Sequence, residues 1–277
     1  MDHIKRADRL GAITRILTAT PNRLHGYAEF CELFGAAKST ISEDIDIIAN
    51  SISRFAEGRV ETIAGASGGV RFRPLPSKKR MRETLNGLCA RLSQPGRLLP
   101  GGFVYTSDLT SESDAVWSIG EILAAEFYDA EPDVVLTMET KGIPIAMSVA
   151  QMLDVPLIIA RRDSRAYEGS AVKINYIAGN GVDLETMALA RRAVKSGQKA
   201  LIIDDFMKGG GTLGGMVELM QEFQVKVVGI GVMIATAKSP VAKLNVRALM
   251  TIEELDESGN RAIVRPSPYF AAKAELQ

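Results

Sequence analysis

Leu201-Ile202-Ile203-Asp204-Asp205-Phe206-Met207-Lys208-Gly209-Gly210-Gly211-Thr212 decides the reading of this chain. Its first residues are the apolar run of a buried strand, and two adjacent carboxylates follow. Three glycines and a threonine then lead into an apolar stretch, Leu213 to Phe223, that reads as a helix. Consecutive glycines let backbone N–H groups converge without Cβ obstruction, and the positive end of the helix dipole adds to them. That is a site for a phosphate monoester. Two aspartates at a strand end accept hydrogen bonds from a pair of vicinal hydroxyls. Phosphate plus diol describes a ribose 5-phosphate. The plainer alternative is a tight strand-to-helix turn with acidic surface residues, but three glycines cost backbone entropy that such a turn does not require.

Working outward, strands alternate with helices. Val134–Met138 reads as a buried strand, Glu139-Thr140-Lys141-Gly142-Ile143-Pro144 as a loop and Ile145–Leu153 as a helix. Val155–Ala160 and Ala171–Ile177 read as strands, Leu184–Lys195 as a helix, and Ala200–Ile203 and Val227–Met233 as strands. This pattern predicts a parallel sheet with ligands bound beyond the carboxyl ends of the strands, where both loops lie. Before it, Asp114–Phe127 carries apolar Val116, Ile119, Ile122 and Leu123 at helical spacing, and Met138, Met147 and Met152 read as core filler. Phe103 and Tyr105 are candidates for stacking on a base, with core packing expected for at least one of them.

The strand, acidic pair and glycine loop resemble the phosphoribosyl pyrophosphate (PRPP) motif of type I phosphoribosyltransferases. The departure is Gly209, preceded by Lys208, where the enzymes have a first threonine. Asp-Asp-Phe-Met-Lys-Gly-Gly-Gly-Thr is similar to the purine operon repressors of Gram-positive bacteria, which keep the phosphoribosyltransferase fold as a sensor behind a winged-helix domain. The resemblance implies PRPP contacts from Asp204, Asp205, Phe206, Met207, Lys208, Gly209, Gly210, Gly211 and Thr212. It also implies a pyrophosphate loop at Thr140, Lys141 and Gly142, and a mobile loop from Arg161 to Ser170.

The first seventy-odd residues differ from the rest. Arg9–Ala19, with Leu10, Ile13, Ile16 and Leu17 spaced three and four apart, predicts a helix that Pro21-Asn22 ends. A second helix is expected over Tyr27–Phe34, and Gly35-Ala36-Ala37 makes a short turn. A third starts at Thr40, with Glu43 completing a capping box and Ile41, Ile45 and Ile48 buried. Helix, short turn and helix is the helix-turn-helix pattern. Lys38, Ser39, Thr40 and Ser42 at the third helix's start suit phosphates and base edges, although Glu43, Asp44 and Asp46 must turn away. Arg59–Ala64 and Val70–Arg73 alternate as strands around Ala66-Ser67-Gly68-Gly69, a hairpin with Arg71 and Arg73 on one face. Such a hairpin is a wing, and Arg59, Arg71 and Arg73 are its candidate DNA contacts. The basic run Ser77-Lys78-Lys79-Arg80-Met81-Arg82 follows Pro74-Leu75-Pro76, and reads equally as a solvated helix face or a DNA-proximal segment.

The architecture expected is therefore α/β: a winged helix-turn-helix domain over residues 1–74, then a phosphoribosyltransferase-like domain with a mostly parallel sheet over residues 75–277. The 277 residues include 33 basic and 33 acidic side chains, so bulk charge favours no partner and any DNA-binding surface is local. Two cysteines, Cys31 and Cys89, fit a reduced compartment, and no metal spacing occurs. Both histidines, His3 and His25, lie near the N-terminus, which removes histidine chemistry from the second domain. With no signal-peptide pattern and no long apolar run, a cytoplasmic location and no membrane partner are expected. The function expected is a homodimeric repressor of purine genes, without catalytic residues, that holds operator DNA and is released by PRPP. PRPP can come with Mg2+, and a guanine nucleotide is a further candidate effector. The alternatives are an active purine phosphoribosyltransferase and a ligand-binding module acting through protein partners.

Overall fold

The computed structural model describes residues 4–65, 67–163, 169–177, 183–256 and 258–275. The chain divides into two compact units, one of residues up to Ser77 together with Gln151–Asp154, the other of the remainder from Lys78 onward.

The first unit contains α1 (Arg6–Ala19), α2 (Tyr27–Phe34), α3 (Lys38–Phe55) and the strands β1 (Arg59–Ile63) and β2 (Gly69–Arg73). Ile41, Ile45, Ile48 and Ile52 form the buried stripe of α3, packed with Ile13 and Leu17 of α1, Phe30 of α2 and Val70 and Phe72 of β2. Each such side chain contributes about 1.5–3 kcal/mol by leaving water. Gly35, at φ 59°, closes α2 in the left-handed conformation that a Cβ disfavours. The structure corrects the predicted capping box. α3 begins at Lys38 with Ala37 as its cap residue and no side-chain cap bond, so Thr40 lies inside the first turn. Glu43 reaches Arg6 at 3.2 Å instead. Asp44 is fully buried and is gripped by Arg9 at 2.7 Å and Arg6 at 2.9 Å. That carboxylate ties α1 to α3.

The second unit is built on a six-stranded sheet in the order β12-β11-β10-β9-β5-β6. Its strands are β5 (Val134–Met138), β6 (Leu157–Ala160), β9 (Lys199–Met207), β10 (Lys226–Thr236), β11 (Val246–Asp256) and β12 (Arg261–Pro266). All pairings are parallel except β11 with β12. Leu201, Ile202 and Ile203 of central β9 are fully buried, as a strand covered on both faces requires. One face carries α8 (Gly211–Glu222), whose Leu213, Met216, Leu219 and Met220 join the core of Leu136, Ile202 and Val232. The other meets α6 (Ser113–Ala125) and Phe127, and here glycine is required. A Cβ on Gly229 of β10 would lie 2.5 Å from the Phe127 ring.

Several expectations change. Leu184–Ala190 is a strand, β8, antiparallel to β7 (Ala171–Ile177), not the predicted helix. The basic run forms the start of a helix, α4 (Lys78–Leu92), with Lys78, Lys79 and Arg82 exposed, as the solvated-face reading expects, whereas the short pair β3 (Leu98–Leu99) and β4 (Phe103–Val104), the strands β11 and β12 and a last helix α9 (Pro268–Glu275) were not anticipated. The helices α5 (Ser107–Ser111) and α7 (Ile143–Leu153) complete the unit. Met138 and Met152 are buried, but Met147 is 52% exposed and fills no core. Connectivity places the ligand crevice. β9 runs through α8 to β10 on one side, whereas β5 runs through α7 to β6 on the other. Neighbours β5 and β9 therefore flank the switch point where open α/β sheets bind ligands.

Candidate effector and nucleic-acid sites

At that switch point lies a cavity of about 760 Å³, bounded by Glu139, Thr140 and Lys141 after β5 and by the last residues of β9 and the loop beyond it, Asp204 through Leu213. Gly210, at φ 79°, is the cap residue of α8, so the chain turns sharply and presents the first amides of that helix to the cavity. A Cβ there would touch Met207, Pro240 and Leu244 at 3.1–3.3 Å. Ser239 holds this loop from outside the motif. Its hydroxyl oxygen lies 2.7 Å from the carbonyl oxygens of both Met207 and Lys208, which share its one proton, and accepts the Thr236 N–H at 3.1 Å. No spacing in the sequence pointed to Ser239.

β9 runs on to Met207, past the Ile203 end expected for it, so Asp204 and Asp205 stand side by side within the strand, with Asp204 buried and the Asp205 N–H donating to Asp204 Oδ1 at 2.9 Å. Burial pushes the Asp204 carboxyl well above the ordinary carboxylate range, and the neighbouring Asp205 charge adds to this. Burial also raises Asp205, opposed by bonding to Asp204 and by the nearby Lys141 cation. Gly142 is required at this spot, since a Cβ would fall 2.7 Å from Asp204 Oδ1. The Glu139-Thr140 peptide is cis. Glu139 pairs with Arg161 at 3.1 Å and accepts the Arg162 N–H at 2.9 Å, which anchors the start of the expected mobile loop. Residues 164–168 of that loop lie outside the described residues.

The rim of the cavity differs from expectation. Lys208, expected on the ligand, donates to the Gly101 carbonyl at 2.7 Å, with its nitrogen 5.0 Å from the centre of the Phe103 ring. Phe103 packs on Phe206 at 5.9 Å between centroids. Phe103 and Tyr105 are 48% and 43% exposed, so neither is core, and Phe103 lines the cavity. Tyr176 and Glu185, unremarked in the sequence, line it as well. Thus Thr140, Lys141, Asp204, Asp205, Phe206, Met207, Lys208, Gly209, Gly210, Gly211 and Thr212 converge on one cavity, with Gly142 directly beneath it.

In the first unit, Lys38 and Ser39 are exposed at the start of α3, with Thr40 and Ser42 half-buried beside them. The hairpin forms in the expected register, with Arg59 opposite Arg73 and Glu61 opposite Arg71. Arg71 and Arg73, expected as DNA contacts, are held within the first unit's own network. Arg71 donates to Glu61 at 3.0 Å, and Arg73, only 4% exposed, donates to Asn22 at 2.9 Å and to Glu61 at 3.4 Å. Arg59, also bonded to Glu61, is the exposed member. Burial raises the Glu61 carboxyl, but the Arg71 and Arg59 guanidiniums outweigh it and hold the group below its ordinary range. Among the described residues no His, Cys, Asp or Glu side chains group in threes to hold a metal ion. No helix among them is long and apolar enough to cross a membrane.

The family model "Bacterial purine repressor, N-terminal" matches residues 5–74, and "Phosphoribosyl transferase domain" matches residues 112–265. The probable purine biosynthesis transcriptional regulator PurR of Streptococcus pneumoniae is 39% identical over 262 residues, covering 94% of this chain and 95% of that one. The purine biosynthesis transcriptional repressor PurR of Bacillus subtilis is 41% identical over 230 residues, with 83% and 81% covered. A Lactococcus lactis relative, 41% identical with 83% and 85% covered, is named a transcriptional activator. The second unit has the fold of adenine phosphoribosyltransferase from Thermoanaerobacter pseudethanolicus, at TM-score 0.53 and 18% identity over 60% of this chain and 98% of that one. The chain belongs to the family of purine biosynthesis transcriptional regulators, which join a bacterial purine repressor N-terminal domain to a phosphoribosyltransferase domain.

Proposed function

We propose that this chain is a homodimeric repressor of purine biosynthesis genes that holds operator DNA with its first unit and releases it when its second unit binds PRPP. The observation that carries this reading is the convergence of the Gly209–Thr212 loop, the Asp204–Asp205 pair and Lys141 on one cavity at the sheet's switch point. The loop amides take the 5-phosphate, the paired carboxylates accept the ribose hydroxyls, and Lys141 with the Thr140–Gly142 backbone meets the pyrophosphate. The cavity's carboxylates suit the hard cation Mg2+. Asp204 and Asp205 would hold it, and it would supply neutralising charge for the ligand. A guanine nucleotide fits the same chemistry, with phosphates at the loop and its base against Phe103.

DNA binding rests on Lys38, Ser39, Thr40 and Ser42 at the start of α3 and on Arg59 of the hairpin. PRPP and DNA then oppose each other through a coupling of about 1–3 kcal/mol. Whether the DNA-bound state silences or opens a promoter depends on where the operator lies, so one protein architecture serves both the repressors and the activators among the relatives. We propose that the site transfers nothing from PRPP. Gly209 replaces a loop hydroxyl and Lys208 is drawn to Gly101, so the reacting centre is held loosely, and misplacement by about 1 Å costs on the order of a hundredfold in rate. A cytoplasmic location follows from this role. The test is fluorescence anisotropy of a purine-gene promoter fragment with and without PRPP. Release at PRPP concentrations that leave an unrelated duplex unaffected is the expected result, and DNA binding indifferent to PRPP overturns the reading. Incubation with PRPP, Mg2+ and each of adenine, guanine, hypoxanthine, xanthine and uracil is expected to yield no nucleoside monophosphate.

A further inference from the structure

One wall of the cavity is a hairpin that is fixed at its base and held at its tip from the side of the phosphate loop. The pair β3 and β4 has only two residue pairs, Leu98 with Val104 and Leu99 with Phe103. Leu99, Pro100, Gly101, Phe103 and Val104 line the cavity. The base is locked. Arg97 donates to both carboxylate oxygens of Asp108, at 2.9 and 2.7 Å, and to the Tyr105 carbonyl at 3.0 Å. The Tyr105 N–H donates back to the Arg97 carbonyl at 2.8 Å. So short a pairing does not hold its own shape in water, and the tip depends on what it touches. Lys208 Nζ donates to the Gly101 carbonyl at 2.7 Å and stands 5.0 Å from the centre of the Phe103 ring, on which Phe206 also packs.

An ammonium carries three protons and accepts nothing. The Gly101 carbonyl takes one of them. Lys208 directly precedes the Gly209–Thr212 loop and lines the same cavity, so an anion in that loop meets the ammonium as well as the loop amides. A phosphate monoester accepts charge-assisted bonds roughly twice as strong as those made to a neutral carbonyl. With the loop empty, the tip is tied to a side chain that is itself exposed and free to swing. With the loop filled, that side chain is pinned at its charged end.

We propose that Lys208 is a clasp: its ammonium bridges the phosphate of the ligand and the Gly101 carbonyl, and so closes the Leu98–Val104 hairpin over an occupied cavity. Lys208 is thereby a positioning residue for the hairpin, and Phe103 is carried with it. A sensor needs its filled and empty forms to differ, and the hairpin is a part of the effector domain that supplies such a difference. The inference rests on the reading that a phosphorylated ribose occupies the Gly209–Thr212 loop.

The experiment is hydrogen–deuterium exchange of the full chain, read by mass spectrometry at the amides between Leu99 and Val104, with calorimetry fixing the occupancy by ribose 5-phosphate. Without ligand, Lys208→Met should exchange these amides roughly two- to tenfold faster than wild type, the size of one hydrogen bond. Saturating ribose 5-phosphate should slow them by a similar factor in wild type and leave them unchanged in Lys208→Met. Lys208→Arg, which keeps a cation able to reach two acceptors, should restore at least part of the slowing. Equal exchange by ligand-free wild type and Lys208→Met overturns this inference, and so does a wild type that binds the sugar phosphate with no slowing. Slowing of the same size in Lys208→Met overturns it too, because the ligand then covers the hairpin unaided. Loss of all binding in Lys208→Met would make the ammonium the phosphate site itself and overturn the clasp. Failure of wild type to bind ribose 5-phosphate overturns the ligand reading and this inference with it.

Discussion

Each unit of the molecule carries a cluster of charge, and the two are handled in opposite ways. In the hairpin, Glu61 is surrounded by Arg59, Arg71 and Arg73, and the surrounding guanidiniums hold its carboxyl ionised. Within β9, Asp204 and Asp205 are two like charges in a buried setting that disfavours both, and each carboxyl is pushed up. The first arrangement satisfies its members and is what a structural network looks like. The second persists only because the fold around it over-determines it, which is the mark of a place kept ready for something else.

The sharpest way to break this contrast is to remove the unfavourable pair. Asp204→Asn with Asp205→Asn should lower PRPP affinity at least on the order of a hundredfold, from the loss of two charge-assisted hydrogen bonds. Operator binding should stay within about twofold, which gives a protein that no longer releases DNA. Its melting temperature should rise by a few degrees, since buried like charges are a stability cost at neutral pH. A gel-shift titration and a thermal melt read both, and normal release by PRPP would falsify the site assignment.

The hairpin should respond in the reverse sense. Arg73→Ala leaves Glu61 and Asn22 without their buried partner and should cost about 2–4 kcal/mol of stability in a urea titration. A loss under about 0.5 kcal/mol would show that the network is not structural. Acid should separate the two clusters further. Glu61 is lowered in the folded state, so its stabilisation is present above its ordinary value of 4.5 and is lost as pH falls below it. Asp204 is raised, so its effect runs the other way, and stability from this group declines as pH climbs from its ordinary 3.8 toward the raised folded value. PRPP binding should weaken as pH falls through that same window, because a protonated carboxyl accepts ribose hydroxyls poorly. Affinity that is flat from pH 8 down to about 4 would contradict the burial-driven shift. The smallest effect belongs to Arg59→Ala. It should leave folding unchanged and flatten the log–log salt dependence of operator binding by about 0.9, one phosphate contact.

The parts of the fold legible in the sequence were those with one consistent local signal. The run from Leu201 into Gly209-Gly210-Gly211 combines an apolar strand, like charges and glycines, and nothing else satisfies all three. Strand β8 was missed because Leu184, Glu185, Met187, Ala188, Leu189 and Ala190 are helix formers, and only pairing with β7 makes them a strand. Arg71 and Arg73 were placed on one face, but their engagement by Glu61 and Asn22 was not foreseen. The hairpin register sets Glu61 opposite Arg71, and that cross-strand pair was readable in the alternation itself. Ser239 was not readable, because its partners Met207 and Lys208 are near it only through the pairing of β10 with β9.

The switch point also has a consequence in time. β9 pairs with β5 across a long stretch of chain, Val134 meeting Ala200, and the loop after β9 needs Ser239 from still further on. The helices and hairpin of the first unit draw their core from residues 13 to 72. Ribosomes add roughly 5–20 residues per second, so the two core regions emerge several seconds apart. Contacts close in sequence also form faster than distant strand pairings. During each round of synthesis the helices of the first unit are therefore in place before the cavity of the second unit exists. The cavity of a growing chain stays without its Ser239 clamp until that residue leaves the ribosome.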